Sequence, residues 1–317
     1  MKILTVGTAK ITADLIKAFK ENDIEVYACC GRDLKKTEDF ARANGVNMAY
    51  DDYEIALSDE NIDAVYIATP NSLHFEYASK AILRHKHVIL EKPFTTSAKE
   101  CLDLIKLAID NDVILFEAIL PIHLPTYKKL KEAVKSLGKI TNAELNFSKY
   151  SSKYDDFKKG GSPNVFNPEF YGGALNDLGV YTLYYAIDIF GLANKYAYFC
   201  NMERDIDVSG TYILTYDNFY ITGTSLKDSD AHNFISISGE NGHIYYEGAP
   251  SLIDNFKIEM RDGESIEYHY PFKDAYYYEV SVFKKMVLDN DRQMMKKYLY
   301  KTYQVMTALD KLHASQQ

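Results

Sequence analysis

The 317-residue chain contains no tryptophan and only four cysteines, Cys29, Cys30, Cys101 and Cys200. None of them stands at a spacing from histidine or another cysteine that resembles a zinc site. In a chain of this length, such cysteines are most simply interpreted as reduced, buried small hydrophobic residues. The sequence therefore predicts neither a disulfide framework nor a bound metal.

Long apolar runs and clusters of basic residues are also missing. No segment approaches the ~18 consecutive apolar residues that a membrane span needs. The net charge of -9 and the pI near 5.4 argue against nucleic acid or an anionic membrane surface as a partner. The first predicted strand begins within the first three residues and leaves no room for a signal peptide. We therefore expect a cytoplasmic protein.

Residues 1–120 alternate short β-rich apolar runs with amphipathic helical stretches. Strands are predicted at 2–6, 25–30, 64–68, 87–90 and 113–117, and helices at 11–21, 35–44, 73–84 and 98–110. Alternating strands and helices imply right-handed crossovers and a parallel sheet with helices on both faces. This half of the chain is predicted to be a doubly wound α/β domain.

Residues 121–317 show a different pattern, in which strands follow one another. Helices are predicted at 121–136, 175–190, 275–288 and 294–314, and strands at 140–150, 196–202, 210–216, 219–225, 234–238, 243–247, 256–261 and 266–269. Turns such as Asp217-Asn218 and Asp262-Gly263 separate several strands, as in β-hairpins. This half is predicted to be an α+β domain built on a mostly antiparallel sheet.

The tripeptide Glu91-Lys92-Pro93 ends a predicted strand, because proline cannot continue a sheet ladder and restricts the residue before it. A lysine at the carboxyl end of a parallel strand lies at the edge where open α/β sheets bind their ligands. Farther along the chain, Asp177 and Tyr181 lie four residues apart on one face of a predicted helix. Lysine, aspartate and tyrosine together suit proton transfer in alcohol–carbonyl chemistry.

The loop after the first strand matches part of a dinucleotide-binding loop. Such a loop reads G-x-G-x-x-G/A, which gives a tight turn, close approach to the pyrophosphate and close helix packing. Gly7 occupies the first position, whereas Ala9 and Thr12 replace the other two small residues. Because alanine adds one methyl group, a phosphate can still dock on the helix N-terminus. The alternative is an ordinary β–α turn.

The turn after the second strand carries the residues that bear on the choice of cofactor. An acidic residue there would bind the ribose hydroxyls of NAD, whereas an arginine accepts the 2′-phosphate of NADP. Arg32, with Lys35 and Lys36 nearby, favours NADP, while Asp33 keeps NAD open. A solvated charged turn is the alternative.

Together these motifs resemble those of the glucose–fructose oxidoreductase, inositol dehydrogenase and rhizopine-catabolism (Gfo/Idh/MocA) family of NAD(P)-dependent oxidoreductases. The resemblance is carried by Gly7 and by residues 68–74, 86–93, 116–118 and 172–181, which appear in family order and spacing. It implies a Rossmann domain over 1–120 and, over 121–317, an α+β domain for substrate binding and oligomerisation.

The resemblance also implies the site. Lys92, Asp177 and Tyr181 would be catalytic, with Lys92 touching the substrate hydroxyl and the nicotinamide ribose and preceding a cis Pro93. Inositol dehydrogenase-like members carry histidine where this chain has Tyr181, so the dihydrodiol dehydrogenase-like branch is nearer and inositol is less expected. The expected cofactor contacts are Gly7, Thr8, Ala9, Lys10, Ile11, Arg32, Ala68, Thr69, Pro70, Asn71, His74, Glu91 and Lys92.

The expected reaction transfers a hydride between a nicotinamide and a hydroxyl or carbonyl carbon of a sugar, polyol or trans-dihydrodiol. A phenol of pKa ~10 is a poor acid–base group at neutral pH. A neighbouring ammonium lowers the pKa of a phenol, and this is the role expected of Lys92 toward Tyr181. The alternative is a catalytically idle NAD(P) sensor that acts through a protein partner, suggested by Ala9 and Thr12.

The second half has more predicted strands than its helices can cover, so we expect one sheet face to pair with a second copy in a homodimer or higher homo-oligomer. The predicted contributors to that face are Ile213, Phe219, Ile221 and Ile235. The substrate pocket is expected to draw on Tyr150, Lys153, Asn164 and Phe166.

Overall fold

A computed structural model describes residues 1–317 and divides the chain into two compact units. The first unit comprises 1–118 and 274–303, and the second comprises 119–273 and 304–317. The first boundary lies within two residues of the one predicted, but segment 274–303 packs with the first unit and not with the second half. Periodicity reveals that a helix has an apolar face, whereas its packing partner is a tertiary property. No helix combines the length and apolar character of a membrane span.

The elements of residues 1–118 alternate between strand and helix. The strands are β1 Lys2–Val6, β2 Glu25–Cys30, β3 Met48–Tyr50, β4 Ala64–Ile67, β5 His87–Glu91 and β6 Leu115–Ala118, and the helices are α1 Lys10–Glu21, α2 Leu34–Ala43, α3 Tyr53–Leu57, α4 His74–Leu83 and α5 Ala98–Asp110. All six strands are parallel, in the order β3-β2-β1-β4-β5-β6. This confirms the doubly wound sheet, and the strand order reverses between β1 and β4.

Two elements of residues 1–118 were not predicted. β3 and α3 contain three and five residues respectively. Elements this short complete too few periods for a hydrophobic pattern to distinguish them from a loop. The side chain of Asp52 nevertheless accepts hydrogen bonds from two backbone N–H groups at the start of α3, which is a recognisable cap.

The remaining elements form a second sheet and the helices around both units. The helices are α6 Pro125–Ala133, α7 Tyr154–Lys158, α8 Val180–Phe190, α9 Tyr276–Leu288 and α10 Arg292–Ala314, and the strands are β7 Ile140–Asn146, β8 Lys195–Glu203, β9 Ile206–Thr215, β10 Tyr220–Leu226, β11 Phe234–Gly239, β12 Gly242–Glu247, β13 Asn255–Met260 and β14 Ser265–His269. The sheet order is β14-β13-β12-β11-β7-β10-β9-β8, antiparallel except for the β7–β10 pair.

The two faces of this second sheet differ in burial, and two residues lie on the face opposite to the one predicted. Ile221 and Ile235 are fully buried on the covered face. Tyr220, Phe199 and Tyr245 are exposed large hydrophobic side chains on the opposite face. Alternate residues of a strand point to opposite faces, so an error of one residue in the predicted phase of a strand assigns its side chains to the wrong face, as happened for Ile221 and Ile235.

Tyrosine takes over much of the interior packing in this tryptophan-free chain. In the second unit the hydroxyl groups of several buried tyrosines donate hydrogen bonds: Tyr127 to Asp188 at 2.6 Å, Tyr185 to Pro250 O at 2.8 Å, and Tyr212 to Thr182 at 3.1 Å. A buried phenol contributes a large apolar surface but needs a hydrogen bond at its oxygen. These hydrogen bonds allow tyrosine side chains to be buried in the core, so many of the tyrosines serve packing.

The first unit also buries carboxyl groups beneath the end of β5. The side chain of Glu279, on α9, is almost completely buried, and its carboxyl group faces those of Glu91 and Glu117. Burial, followed by the repulsion of these two neighbours, raises the pKa of Glu279 well above its usual range. Glu91 is fixed in turn by the hydroxyl of Tyr66, which donates to it at 2.7 Å.

This burial predicts that Glu279→Gln increases stability at neutral pH. Between the ordinary pKa of an unfolded glutamate, ~4.3, and the raised folded value, the unfolded chain releases a proton that the folded chain retains. Wild-type stability therefore falls as pH rises through this window, by at most about 1.4 kcal/mol per pH unit for one proton. Melting temperatures from pH 5 to 8 should decline less in Glu279→Gln than in wild type. Glu264→Gln, at an exposed turn, is the control, and parallel curves for all three proteins would contradict the prediction.

Candidate functional site

In the first unit, loops that follow β1, β4 and β5 meet at the carboxyl edge of the parallel sheet. Gly7 opens the first loop with φ +109°, and its N–H donates to Cys30 O at 2.9 Å. A Cβ atom at this position would lie 2.5 Å from Ala68 O, in the loop after β4. Glycine is therefore required here both by the backbone angle and by the close approach of the two loops.

The start of α1 leaves room for an anion. Ala9 occupies the N-cap position without any side-chain cap, and Thr8, Ala9 and Lys10 are exposed. The first N–H groups of a helix lack intrahelical acceptors and attract phosphate. Thr12, which stands where the glycine-rich motif has its third small residue, is fully buried. The two departures from the motif therefore leave the N–H groups at the start of α1 accessible, and the loop fits the pyrophosphate of a dinucleotide.

In the turn after β2, the charged side chains of Asp33 and Arg32 have different environments. Asp33 caps α2, since its side chain accepts a hydrogen bond from Lys36 N at 3.0 Å, and this bond lowers the pKa of the Asp33 carboxyl group. Arg32 is exposed and belongs to no ion pair of the chain. The carboxylate is thus used for the helix, and the guanidinium faces solvent.

His74 was predicted to contact the cofactor, and the structure instead places its ring inside the first unit. The ring is fully buried, with Nδ1 2.9 Å from Pro93 O and Nε2 3.1 Å from Thr69 O. Burial lowers the pKa of His74 to about 4, so the ring is neutral at physiological pH. Because the neutral ring carries a single N–H, it donates a hydrogen bond to one of these two carbonyl groups and contacts the other, and it thereby packs between the loop after β4 and the loop after β5.

Lys92 lies directly after β5 in the loop that His74 anchors. The Lys92–Pro93 peptide is cis, as the family resemblance implied. The lysine is partly exposed, and Glu91 before it is held by Tyr66. Gly7, residues 68–73 and Lys92 therefore share one edge of the first unit.

The other predicted catalytic residues lie in the second unit, after a glycine-rich turn. Gly173 has φ +106°, and a Cβ atom there would lie 1.9 Å from Asp207 Oδ1. The Asp207 carboxyl group accepts hydrogen bonds from Leu175 N at 2.8 Å and from the hydroxyl of Tyr198 at 2.6 Å. Burial raises the pKa of Asp207. This buried carboxyl group fixes the start of the helical segment that carries Asp177.

Asp177 and Tyr181 stand on consecutive turns of that segment. Residues 175–179 form a π-helical turn that leads into α8, so this stretch is not one continuous α-helix as predicted. The ring of Tyr181 packs edge-on against Phe147, with centroids 5.4 Å apart. The carboxylate of Asp177 forms an ion pair with Lys227, with Oδ2 and Nζ 2.8 Å apart.

Lys227 and Asp207 were missed by the sequence analysis. Lys227 follows β10 and continues the every-second-residue phase of the buried Ile221 and Ser225. The sequence signal for Lys227 was its position, since a lysine that continues the alternation of buried strand residues is expected to point into the interior and to need a partner there. Asp207 likewise occupies a strand beside hydrophobic residues, but nothing local marks it as the partner of a distant turn.

One predicted pocket residue also has a different environment. Phe166 is buried in a cluster with Phe157, Ile206 and Val208, so it is a core residue and does not line a pocket. The hydroxyl of Tyr150 donates to Asp155 at 2.8 Å on the exposed side of the same region.

A family profile described as an oxidoreductase family with an NAD-binding Rossmann fold, Gfo/Idh/MocA, matches residues 1–119. Among curated proteins, the NADP-dependent scyllo-inositol 2-dehydrogenase of Bacillus subtilis is 33% identical over 92% of this chain and 89% of its own length. An NADP-dependent D-xylose 1-dehydrogenase of Haloferax volcanii is 28% identical over 89% of this chain and 87% of its own length.

Solved structures share the fold over the whole chain. A 3-ketoreductase of Actinomadura kijaniata, in complex with NADP and TDP-benzene, superposes with a TM-score of 0.88 at 21% identity, covering 100% of this chain and 98% of that one. A levoglucosan dehydrogenase in complex with NADH and levoglucosan gives 0.86 at 16% identity, covering 99% and 96%. These likenesses confirm the two-part architecture.

The contact between Gly173 and Asp207 predicts a specific loss of stability in Gly173→Ala. An L-residue at positive φ costs ~1–2 kcal/mol, and overpacking against a fixed group adds ~1–3 kcal/mol. Gly160→Ala is a matched control, because Gly160 has φ +95° in the same unit but nothing within 4 Å of its Cβ position. Urea denaturation should show a greater loss for Gly173→Ala, and equal losses in the two variants would refute the packing argument.

Proposed function

The chain belongs to the Gfo/Idh/MocA family of oxidoreductases, and from this membership we propose that it transfers a hydride between NADP and a hydroxyl or carbonyl carbon of a sugar, polyol or trans-dihydrodiol. The observation that carries the proposal is the carboxyl edge of the first unit, where Gly7, the uncapped start of α1 and Lys92 follow β1 and β5. When bound there, the nicotinamide supplies or accepts the hydride. The protein orients the reactants and moves one proton.

The substrate class is supported by the relatives rather than by any single side chain. Two curated relatives carry names for scyllo-inositol and D-xylose dehydrogenases, and trans-1,2-dihydrobenzene-1,2-diol dehydrogenases are also similar. The inositol relative weakens the inference that Tyr181 disfavours inositols. We therefore propose a substrate with adjacent hydroxyl groups on a ring or short chain.

A substrate screen tests the activity directly. Scyllo-inositol and other polyols, D-xylose and other aldoses, and trans-dihydrodiols would each be mixed with NADP or NAD, and absorbance of the reduced nicotinamide would be followed. We expect NADP-dependent turnover with at least one compound. Cofactor binding without turnover across the whole panel would favour the idle sensor.

The catalytic roles are assigned to three side chains. Lys92 supplies a positive charge and a hydrogen-bond donor to the reacting oxygen, and Tyr181 gives or takes the proton. Asp177 accepts a hydrogen bond from a substrate hydroxyl and thereby orients it. The support is that Lys92 follows a strand at its carboxyl end, and that Asp177 is held by an ion pair while its side chain stays one-third exposed.

NADP is proposed as the cofactor in preference to NAD. The support is the exposed guanidinium of Arg32 beside the site, together with the use of Asp33 as a helix cap. An arginine can bind a 2′-phosphate with two parallel hydrogen bonds, whereas an engaged carboxylate is less available to ribose hydroxyls.

Lys92→Met should reduce turnover by ~10²–10⁴-fold, because the variant keeps the aliphatic stem but loses the proton-managing ammonium group. Cofactor affinity, measured by fluorescence titration, should change far less than kcat. The control is Lys99→Met, which removes an exposed lysine of α5 that pairs with Asp103. Turnover close to wild type in Lys92→Met would exclude Lys92 from the chemistry.

Arg32→Asp should move the cofactor preference from NADP toward NAD by roughly tenfold or more, since a charged hydrogen bond contributes ~1.5–3 kcal/mol. Dissociation constants for both cofactors provide the measurement. Arg42→Asp makes the same charge change in α2, where Arg42 pairs with Asp39, and should leave the preference unaltered. If wild type binds NAD more tightly than NADP, the assignment to Arg32 fails.

We further propose that the protein is a homodimer that pairs the exposed faces of its second sheets. The support is that three large hydrophobic side chains on this face, Phe199, Tyr220 and Tyr245, are exposed, and that Ile213 on the same face is half-buried. Apolar area of this kind usually marks an interface, and twofold pairing closes it.

Light scattering should therefore give a mass of about twice the 36.2 kDa chain value. Tyr220→Lys should shift the equilibrium toward the monomer, because it places a charge within the paired face. Tyr300→Lys substitutes an exposed tyrosine of α10 and should leave the mass unchanged. A monomeric wild-type mass at micromolar concentration would rule the dimer out.

A further inference from the structure

Lys227 is a lysine built into the interior of the second unit. Only 1% of its surface is exposed, although lysine is rarely buried without a partner. Its backbone N–H donates to Val208 O at 2.9 Å, and its carbonyl group accepts from Ser151 N at 2.9 Å. The main chain around Lys227 thus extends the pairing of the sheet, and the side chain starts from a fixed point.

The ammonium group of Lys227 meets three neighbours. Its Nζ lies 2.8 Å from Asp177 Oδ2, donates to Val165 O at 3.1 Å, and sits 4.6 Å from the centre of the Phe166 ring. A carboxylate, a carbonyl oxygen and an aromatic face are all favourable to a cation. The side chain of Asp177 is one-third exposed, whereas that of Lys227 is 2% exposed. Lys227 is therefore the buried member of an ion pair whose other member reaches the surface.

The positive charge of Lys227 acts on two carboxyl groups, those of Asp177 and Asp207. Asp207 also feels its positive charge, but Asp207 takes hydrogen bonds from Leu175 N and the Tyr198 hydroxyl. The direct ion pair of Lys227 is with Asp177. Without the ammonium group, Asp177 would lose its direct ion pair and Asp207 would lose a stabilising positive charge. The carboxylate of Asp177 would then lose the contact that holds it in its present rotamer.

We propose that Lys227 is a positioning residue that holds Asp177 as an oriented carboxylate for a substrate hydroxyl. The proposal rests on the proposed function, in which Asp177 contacts the substrate. Lys227 itself touches no reactant, because its surface is enclosed by the protein. Lys227 also contacts Val165 and Phe166 in the 164–166 turn. The position of its ammonium group, and with it the orientation of the Asp177 carboxylate, therefore depends on the packing of that turn.

A double-mutant cycle on kinetics tests this role. The four proteins are wild type, Lys227→Met, Asp177→Asn and the double variant, assayed with the best substrate from the screen. Lys227→Met should lower kcat/KM by about 10–100-fold while leaving the dissociation constant of the cofactor unchanged, as expected for loss of one charged hydrogen bond. In the Asp177→Asn background the same change should have little further effect, because its target is already removed.

Two further variants separate positioning from simple packing. Lys227→Arg keeps the charge and should recover part of the lost kcat/KM. Lys129→Met removes a lysine from an exposed ion pair with Glu132 in the same unit, and it should match wild type. Independent, multiplicative losses from Lys227→Met and Asp177→Asn, or near-wild-type kinetics in Lys227→Met, would overturn the proposal.

Failure of the proposed function would be recognised separately, as wild-type protein without turnover on any substrate. The cycle is then carried out on melting temperature, which needs no substrate. The proposal requires Lys227→Met to lower the melting temperature much more when Asp177 is present than in the Asp177→Asn background. Equal losses of melting temperature in both backgrounds would show that Lys227 does not act through Asp177 and would overturn the proposal.

Discussion

The buried carboxyl group of Asp207 is the constraint on which the placement of Asp177 within the second unit depends. It accepts hydrogen bonds from Leu175 N and the Tyr198 hydroxyl, and it approaches Gly173 so closely that no side chain fits there. Burying a carboxyl group is unfavourable unless its oxygens are hydrogen-bonded. Satisfying this one group therefore determines where the helical segment with Asp177 begins, and it accounts for the glycine in the motif.

In the first unit, the buried polar group that connects distant loops is the neutral imidazole ring of His74. His74 places its two nitrogens against Thr69 O and Pro93 O and is closed off from solvent. In both units, a polar side chain removed from water joins a loop that is distant in sequence. A buried polar group with satisfied partners tolerates few alternative arrangements, so it specifies loop geometry more tightly than apolar packing would.

The family assignment and the local departures from its motifs are compatible for a physical reason. A dinucleotide loop needs a tight turn at Gly7 and accessible N–H groups at the start of α1, and both are present. Ala9 is exposed, so its methyl group displaces no packed atom, while Thr12 is buried within the unit. The motif's small residues are thus one means of meeting a backbone requirement that this chain meets with other side chains.

By itself the sequence determined the order and type of nearly all strands and helices, because hydrophobic periodicity and turn residues are local signals. It also singled out Lys92 and Asp177 as candidate site residues through motifs with fixed spacing. Only the tertiary structure decided which face of a strand is covered, so Ile221 is interior while Tyr220 is exposed. The roles of His74 and Lys227 likewise depend on partners far away in the chain. A residue's neighbours across the fold, and the water they exclude, leave no mark in its local sequence.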